Sequence, residues 1–417
     1  SSTNTVTDSY VQGSTAVTVG NNSNGNAVNA SFLAATSASG SGLWHAGGSF
    51  NLRLSSNTIL GGAQASGVLV AAGNGGTLVL STNTIRPGAR YGIYIGAQNP
   101  GSQVWVTSNT VLPTLSNSFD TYGIFLDSLA SGATLYNNSI YYRNTGSQAG
   151  YTSYGLYAQA ASNIRFDHNR VNHPGMLTDG SFAGASLNGC VNMTFTYNDI
   201  SSIGAGLTNA YLLQLSNSTA TVRGNVFFSS VTVAGSSATL SLTANSGLDS
   251  NYNDFFSSNS LNTAVWGPAS YQLVSAWRSA TGRDADSIAA HPLWRNVAAG
   301  SEDFHPASPK GRYDPATQGF VSNDQYWALT IDAADPGDGV GNEPAPNGGK
   351  PNQGSYGLTA EASKTAEAPG SPVVGAVYLS SITLGFTPVD CDGYSAEVAL
   401  TPAFAGAVSS VTANPAA

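Results

Sequence analysis

An asparagine recurs along roughly the first 260 residues at an interval of about 28 residues, and this repeat constrains the fold more than any other feature. The matching positions are Asn4, Asn29, Asn57, Asn83, Asn109, Asn138, Asn169, Asn198, Asn225 and Asn253. Repeats of this length are typical of stacked architectures, in which each unit buries its apolar face only against its neighbours. The interval accommodates two or three short strands with their turns.

The residues around each asparagine alternate between apolar and polar, which is typical of a strand with one buried face. The apolar positions three before the asparagine are Leu54, Leu80, Val106, Leu135, Phe166, Phe195 and Val222. A second strand pattern lies about fifteen residues earlier, as in "YGIYIGA" and "YGIFLDS". We therefore predict an all-β chain built as a right-handed parallel β-helix, a solenoid. Its asparagines should tolerate positive φ at a turn and bond to one another in an inward ladder.

The composition favours a packed core, since 41% of the residues are hydrophobic and 10% aromatic although only 9% are charged. The net charge of −9, without any basic run, gives no basis for nucleic-acid binding. No apolar run is long enough to span a bilayer, so we expect no membrane insertion. The polar Ser/Thr/Asn coat, with no Lys or Glu before Glu302, suggests a secreted or cell-surface protein. The chain begins inside a repeat, so we expect a longer natural protein.

The C-terminal third breaks the repeat and resembles a known family. The phrase "DFHPASP" (303–309) is followed by "IDAADPGDGVGNEPAPNGGKPNQGSYG" (331–357). Together they resemble the closing segment of bacterial secreted β-helix proteins of the pectate-lyase-like superfamily. The repeat itself predicts coils over 1–260, and the sequence after it predicts a short helix at about 271–280. The resemblance implies a closing segment over 261–362. It implies no particular reaction.

The last residues resemble part of another module. After a linker at 363–372, residues 373–417 are similar to the first half of a fibronectin type III-like sandwich, on Gly393, Tyr394, Glu397, Val398 and Phe404. A complete sandwich has about seven strands, and half of one exposes edges that can recruit a second chain. The tail therefore predicts possible self-association. Of the two cysteines, Cys190 is expected to be a buried free thiol, and a Cys190–Cys391 bridge is the alternative.

Three aromatic residues are the first candidate site. The strand pattern directs Tyr94, Phe125 and Tyr157 outward in three successive coils, with Asp127 following on the same face. Such a column could form a flat platform for a sugar ring, with polar neighbours binding its hydroxyls. The alternative is that another part of the chain or a second copy covers these rings.

A charged cluster at 163–175 is the second candidate. We expect Arg170 and Asp199 to lie one above the other, either as a surface ion pair or within a patch that binds anions. Arg143 and Arg165 would add substrate contacts. As a catalytic hypothesis, Asp167, Asp199, Arg170 and His168 would serve as acid, base and anion stabiliser. Neither the Asp cluster of the related hydrolases nor the calcium site of the related lyases is present.

These observations favour a polysaccharide-binding β-helix protein, and acidic, pectin-like glycans are the expected ligands. The alternatives are a polysaccharide lyase or glycoside hydrolase acting on a uronate polymer, and a structural stalk or adhesin; whether the chain is an enzyme stays open, leaning towards no. We predict no metal site and no cofactor. The segment "DAADPGDGVGNE" (332–343) has some calcium-loop character, but it lacks the spacing of a known calcium motif.

Overall fold

The fold is described from a computed structural model of the chain. It describes residues 3–88, 90–116, 118–143, 150–174, 180–233, 237–258, 262–367, 370–378, 381–387, 394–398 and 408–412.

Three parallel sheets run the length of the coiled part and form a β-solenoid. Sheet 1 consists of Thr5–Thr7, Asn24–Asn29, Phe50–Ser55, Gly75–Ser81, Gln103–Thr107, Ala133–Tyr136, Ile164–Asp167, Met193–Thr196, Thr219–Arg223 and Gly247–Asn251. Sheet 2 consists of Tyr10–Gly13, Phe32–Ala35, Thr58–Leu60, Thr84–Arg86, Thr110–Val111, Ser139–Tyr141, Arg170–His173, Asp199–Ser202, Val226–Ser229 and Asp254–Ser257. The predicted all-β solenoid is therefore confirmed.

Sheet 3 has twelve strands and carries the "YGI" segments. Its strands are Val17–Val19, Leu43–His45, Val68–Val70, Tyr91–Ile95, Thr121–Asp127, Thr152–Gln159, Gly180–Asn188, Ala205–Ser216, Thr232–Val233, Ser237–Leu242, Asn262–Trp266 and Ala269–Tyr271. The last strand is antiparallel to its neighbour and ends the stack. One continuous core of Leu, Ile, Val and Phe side chains lies between the three sheets.

A ladder of eight buried asparagines, from Asn57 to Asn253, lies at the turn between sheets 1 and 2. Seven of the eight Nδ2 atoms, all but that of Asn253, donate to the Oδ1 of the next asparagine at 2.9–3.0 Å. Each Nδ2 also donates to a backbone carbonyl of the preceding coil. The side chains thus satisfy one another, as buried polar groups must.

The left-handed residue of this turn is not the asparagine itself. The residues with positive φ stand immediately before it and are Ser56, Thr82, Ser108, Asn137, His168, Tyr197, Gly224 and Tyr252. The sequence-based explanation, that asparagine is used because it tolerates positive φ, is therefore wrong. The asparagine is used because its amide spans the gap between two coils.

Asn4 and Asn29 do not belong to the ladder, which corrects the predicted register of the first two coils. Asn29 pairs with Ser55, two residues before Asn57. Ser31 occupies the ladder position instead, and its backbone N–H donates to Asn57 Oδ1 at 2.9 Å. A serine after a left-handed residue fills this position because its hydroxyl can also accept a backbone N–H.

A column of glycines shapes sheet 3. A Cβ on Gly92, Gly123 or Gly184 would lie 2.2–2.4 Å from a branched side chain of the core. Each glycine therefore faces inward, and the isoleucine or leucine after it also faces inward where it is present. Two consecutive inward positions put the tyrosine before the glycine and the aromatic residue two positions after it on the same outer face.

The C-terminal part packs against the solenoid. A helix at Val274–Thr281 confirms the predicted one, shifted by three residues at its start, and a 3₁₀ turn follows at Pro336–Asp338. Antiparallel strand pairs are formed by Trp294–Asn296 with Asp303–Pro306, and by Arg312–Asp314 with Gly319–Val321. Hairpin strands also occur at Gly370–Val377 with Ile382–Thr387, and at Tyr394–Val398 with Val408–Thr412. Gly393 and Phe404, which support the sandwich resemblance, lie outside the described residues.

Cys190 is a buried free thiol, as predicted. Cys391, its alternative partner, lies outside the described residues. Within the described ranges, no helix is long and apolar enough to cross a membrane.

Candidate functional site

The charged cluster lies at the turn between sheets 1 and 2, and the closing segment covers it. Asp167 accepts hydrogen bonds from Arg165 at 2.6 Å and from Thr196 at 2.9 Å. The His168 ring bridges Asp167 Oδ1, at 2.8 Å, and the carbonyl oxygen of Gly357, at 2.9 Å. The histidine therefore fastens the closing segment to the solenoid.

Arg170 and Asp199 lie one above the other on adjacent strands, as predicted, but both are buried. They meet at Ser355 of the closing segment. Asp199 Oδ2 accepts from the Ser355 backbone N–H at 2.9 Å and from its hydroxyl at 2.5 Å. An Arg170 N–H donates to the same hydroxyl at 3.3 Å. The interpretation of a surface ion pair is therefore wrong, because Asp199 is only 1% exposed.

The fit of the closing segment over Asp199 is close. A Cβ on Gly354 would lie 2.4 Å from Asp199 Oδ1, and this glycine has a φ of +87°. The Arg170 guanidinium lies over the Tyr356 ring at 5.1 Å from its centre. We call this group of Arg170, Asp199, Gly354, Ser355 and Tyr356 the latch.

Burial raises the pKa of Asp199 to about 7, although the Ser355 hydrogen bonds and the Arg170 charge both act to lower it. A carboxyl group with such a pKa could serve as a general acid. In the latch, however, the carboxyl contacts the closing segment rather than an open cleft. Asp167 ends a strand of sheet 1 and Asp199 begins a strand of sheet 2, so the two flank the turn. The catalytic assignment stays a prediction.

Arg143, predicted as a substrate contact, is engaged within the chain. Its Nη1 pairs with Glu302 of the closing segment. Its guanidinium also lies over the Tyr141 ring, 5.3 Å from the ring centre. Arg143 therefore holds the closing segment in place.

The predicted aromatic column consists of six rings rather than three. Tyr91, Tyr122 and Tyr154 form a stacked row beside the predicted one, with centre-to-centre distances of 5.2 and 4.9 Å. The rings of the predicted row, Tyr94, Phe125 and Tyr157, pack edge to face at 5.3 and 4.8 Å. We call these six residues the tyrosine patch.

The tyrosine patch is not a flat platform. Phe125 is only 7% exposed because the neighbouring tyrosines cover it. Asp127 accepts hydrogen bonds from the Tyr94 hydroxyl at 2.8 Å and from Gln159 at 3.0 Å. The rings and the carboxylate thus largely satisfy one another. The alternation pattern missed the second row because the glycine column interrupts it.

A groove on sheet 1 has a different character. It has a volume of about 220 Å³, and Trp105, Gln103, Thr134, Asn163 and Arg165 are among its lining residues. The Trp105 side chain is 43% exposed. Its neighbours in register are Val79 and Thr134 rather than other aromatic rings. We call this the Trp105 groove.

Two of the polar residues of this groove are held from outside it. Asp167 pairs with the Nη2 atom of Arg165. The Arg165 side chain is 59% exposed, so its other N–H groups are available to a ligand. The Asn192 amide donates to Asn163 Oδ1 at 2.6 Å. A groove with one indole wall and fixed donors is suited to a polar ligand with an apolar face.

Sequence reasoning found Arg165 but missed Trp105 as its partner. The signal was present, since Arg53, Trp105 and Arg165 all stand four residues before a ladder asparagine. That position is the outward residue between two inward ones, and it aligns in the sheet register.

The carboxylates of the acidic segment 332–343 each bind a different partner and do not form a cluster. Asp335 caps the 3₁₀ turn through the Gly337 N–H and pairs with Arg223, whereas Asp338 accepts from the Tyr197 hydroxyl at 2.7 Å. Glu343 accepts from the backbone N–H groups of Asn352 and Leu358 at 2.8 Å each. Across the described ranges, no group of three or more His, Cys, Asp and Glu side chains could hold a metal ion.

Comparison of the chain with protein-family models, with curated proteins and with solved structures finds no match. The solenoid is therefore observed in the structure, whereas membership of the pectate-lyase-like superfamily stays a prediction.

Proposed function

We propose that this protein binds polysaccharide, as a secreted or cell-surface β-solenoid, and that the Trp105 groove is its principal contact. The observation that carries the proposal is an exposed indole without an aromatic neighbour in its row, set beside an exposed arginine in one groove. The combination of an aromatic wall and convergent polar groups in one groove is typical of ligand sites.

The chemistry of the groove supports a sugar ligand. A pyranose ring has an apolar C–H face that packs on an indole, and its hydroxyls bind donors and acceptors around the edge. Gln103, Asn163 and Arg165 supply those donors, and Thr134 adds a hydroxyl. Because the groove lies on a parallel sheet, the same geometry can extend along several coils, as a polymer requires.

The catalytic alternative has less support, because the carboxyls assigned to it lie beneath the closing segment. A purely structural stalk would need no exposed indole beside fixed polar groups. The rings of the tyrosine patch pack against one another on the outer face of sheet 3, so the patch is a secondary candidate for polysaccharide contact.

The test is Trp105→Ala compared with Trp44→Ala. Both indoles are 43% exposed, but Trp44 lies on sheet 3, outside the groove. Mobility in affinity gels that contain neutral or acidic polysaccharides should show retardation of the native protein. Loss of one stacking contact should weaken binding by about tenfold, or roughly 1.4 kcal/mol, in Trp105→Ala only. Equal retardation of both variants would place the contact elsewhere, and no retardation of the native protein would refute the proposed function.

A further inference from the structure

One outward row of sheet 1 carries positive charge at a regular interval on both sides of the indole. Its residues in register are Arg53, Val79, Trp105, Thr134 and Arg165. Arg53 and Arg165 each stand two coils from Trp105. Coils of a parallel sheet are spaced by about 4.8 Å, so each arginine is displaced from the indole by about 10 Å along the axis.

The two arginines are accessible. Arg53 is exposed, and Arg165 keeps N–H groups available beyond its bond to Asp167. The next residues of the row, Thr194 and Thr221, are uncharged, and the first carboxylate in it is Asp249. In a chain with a net charge of −9, a row with two exposed cations before any acid favours anionic ligands over neutral ones.

We infer that the row from Arg53 to Arg165 binds an acidic polysaccharide lying along the solenoid axis, with an anionic group on every second sugar. This inference rests on the proposed function and names its ligand class. One anionic sugar stacks its ring on Trp105, and the anionic groups of the sugars two positions away on either side meet the guanidinium groups of Arg53 and Arg165. The interval between indole and arginine, about 10 Å, is of the same order as the length of a disaccharide unit. Arginine pairs with carboxylate or sulfate through two parallel N–H bonds.

The row predicts that the protein prefers a polymer in which charged and uncharged sugars alternate over a polymer in which every sugar is charged. A polymer with a carboxylate on every sugar would also place anions beside Val79 and Thr134, where the row offers no cation. A neutral polymer would keep the stacking contact and lose both ion pairs. Alternating polymers that carry carboxylate or sulfate share the recognised chemistry, and the experiment separates them.

The experiment measures the Kd of the whole chain by titration calorimetry at two salt concentrations. The probes are an alternating uronate–hexosamine polymer, its carboxyl-reduced form, an alternating sulfated polymer and a homopolymer of uronate. The variants are Arg53→Gln, Arg165→Gln and the double variant, with Arg86→Gln as the matched control. Arg86 is an exposed arginine on sheet 2.

We expect each row substitution to raise the Kd for an alternating acidic polymer about three- to fivefold. The effect should shrink as salt rises, and Arg86→Gln should have none. The carboxylate and sulfate arms show which anion is preferred. Equal affinity for the reduced polymer, or tighter binding of the uronate homopolymer, would overturn the inference.

Trp105→Ala distinguishes sugar binding by the Trp105 groove from charge recognition by the two arginines. If Trp105→Ala abolishes binding but the arginine variants behave as the native protein, the groove binds sugar and the row does not recognise charge. If none of the polymers binds the native protein, the proposed function fails and the inference fails with it. Circular dichroism of each variant shows whether the β-sheet content is retained.

Discussion

The latch and the Trp105 groove use the same kinds of side chain for opposite purposes. Arg170 is 8% exposed and bonds to Ser355 and Asn137, whereas Arg165, five residues earlier, points from sheet 1 into an open groove. The turn with its asparagine ladder separates the two. The difference shows that charge in a solenoid sequence does not by itself mark a ligand site, because a later segment can return over one face and leave the next face open.

The strongest test of this difference compares the loss of the buried Arg170 with the loss of the exposed Arg53, which lies in the same row of sheet 1 as Trp105. Arg170→Ala should lower the free energy of unfolding by about 3 kcal/mol, because it leaves buried partners unpaired. It should also make the closing segment sensitive to protease, since Ser355 loses one of its contacts. Arg53→Ala should change stability by less than about 0.5 kcal/mol. Thermal melts and limited proteolysis measure both, and equal effects would mean that the latch is not what holds the closing segment.

The asparagine ladder lies in the coils that carry the Trp105 groove and in those that carry the latch. Each of its asparagines should contribute about equally to the free energy of unfolding. Asn83→Ala and Asn169→Ala should each cost about 2 kcal/mol, because each leaves buried amide and carbonyl partners unpaired. Asn29→Ala is the matched control, since Asn29 is an asparagine of the repeat that lies off the ladder. Its cost should be no more than about 0.5 kcal/mol. Comparable melting temperatures for all three variants would show that the ladder contributes little.

The smallest expected effect is the pH dependence of the latch. The folded-state pKa of Asp199, about 7, lies above its ordinary value of 3.8. The folded state therefore binds a proton more tightly, so this contribution to stability is complete below about pH 4 and is lost as pH rises through 7. Burial raises the pKa of Glu343 in the same direction, also to about 7. The melting temperature at pH 5 minus that at pH 8 therefore contains a positive contribution from Asp199. Burial lowers the pKa of His45 to about 4 and that of His173 to about 3, so these histidines contribute to the same difference with the opposite sign.

Asp199→Asn should reduce that difference in melting temperature, by an amount equivalent to roughly 1–2 kcal/mol. Asp249→Asn is the matched control for the substitution itself, because this carboxylate is exposed and lies outside the latch. The same pH dependence in the native protein and in Asp199→Asn would contradict the raised pKa of Asp199.

The sequence was sufficient for the solenoid, because the inward positions repeat through every coil. Leu54, Leu80 and Val106 were predicted as core residues and are fully buried. It was insufficient where the local pattern was interrupted. Ser31 takes the place of an asparagine in the ladder, and the inward-facing glycine after Tyr91 interrupts the alternation, so that Tyr91 faces outward. It could not predict the latch, because Asp199 and Ser355 are 156 residues apart and nothing near either residue indicates the other.

The asparagine ladder also has a polarity. Every side-chain oxygen points towards the preceding coil and every amide nitrogen donates to the following one, so the amide dipoles add head to tail along the axis. Such chains polarise one another, and their positive end lies at Asn253. There Asp284, a fully buried carboxylate, accepts from Ser250, Ser287 and Trp277 and lies 3.4 Å from the Asn253 amide. The positive end of the ladder therefore faces a buried acidic side chain, an arrangement also found at the N-terminal end of an α-helix.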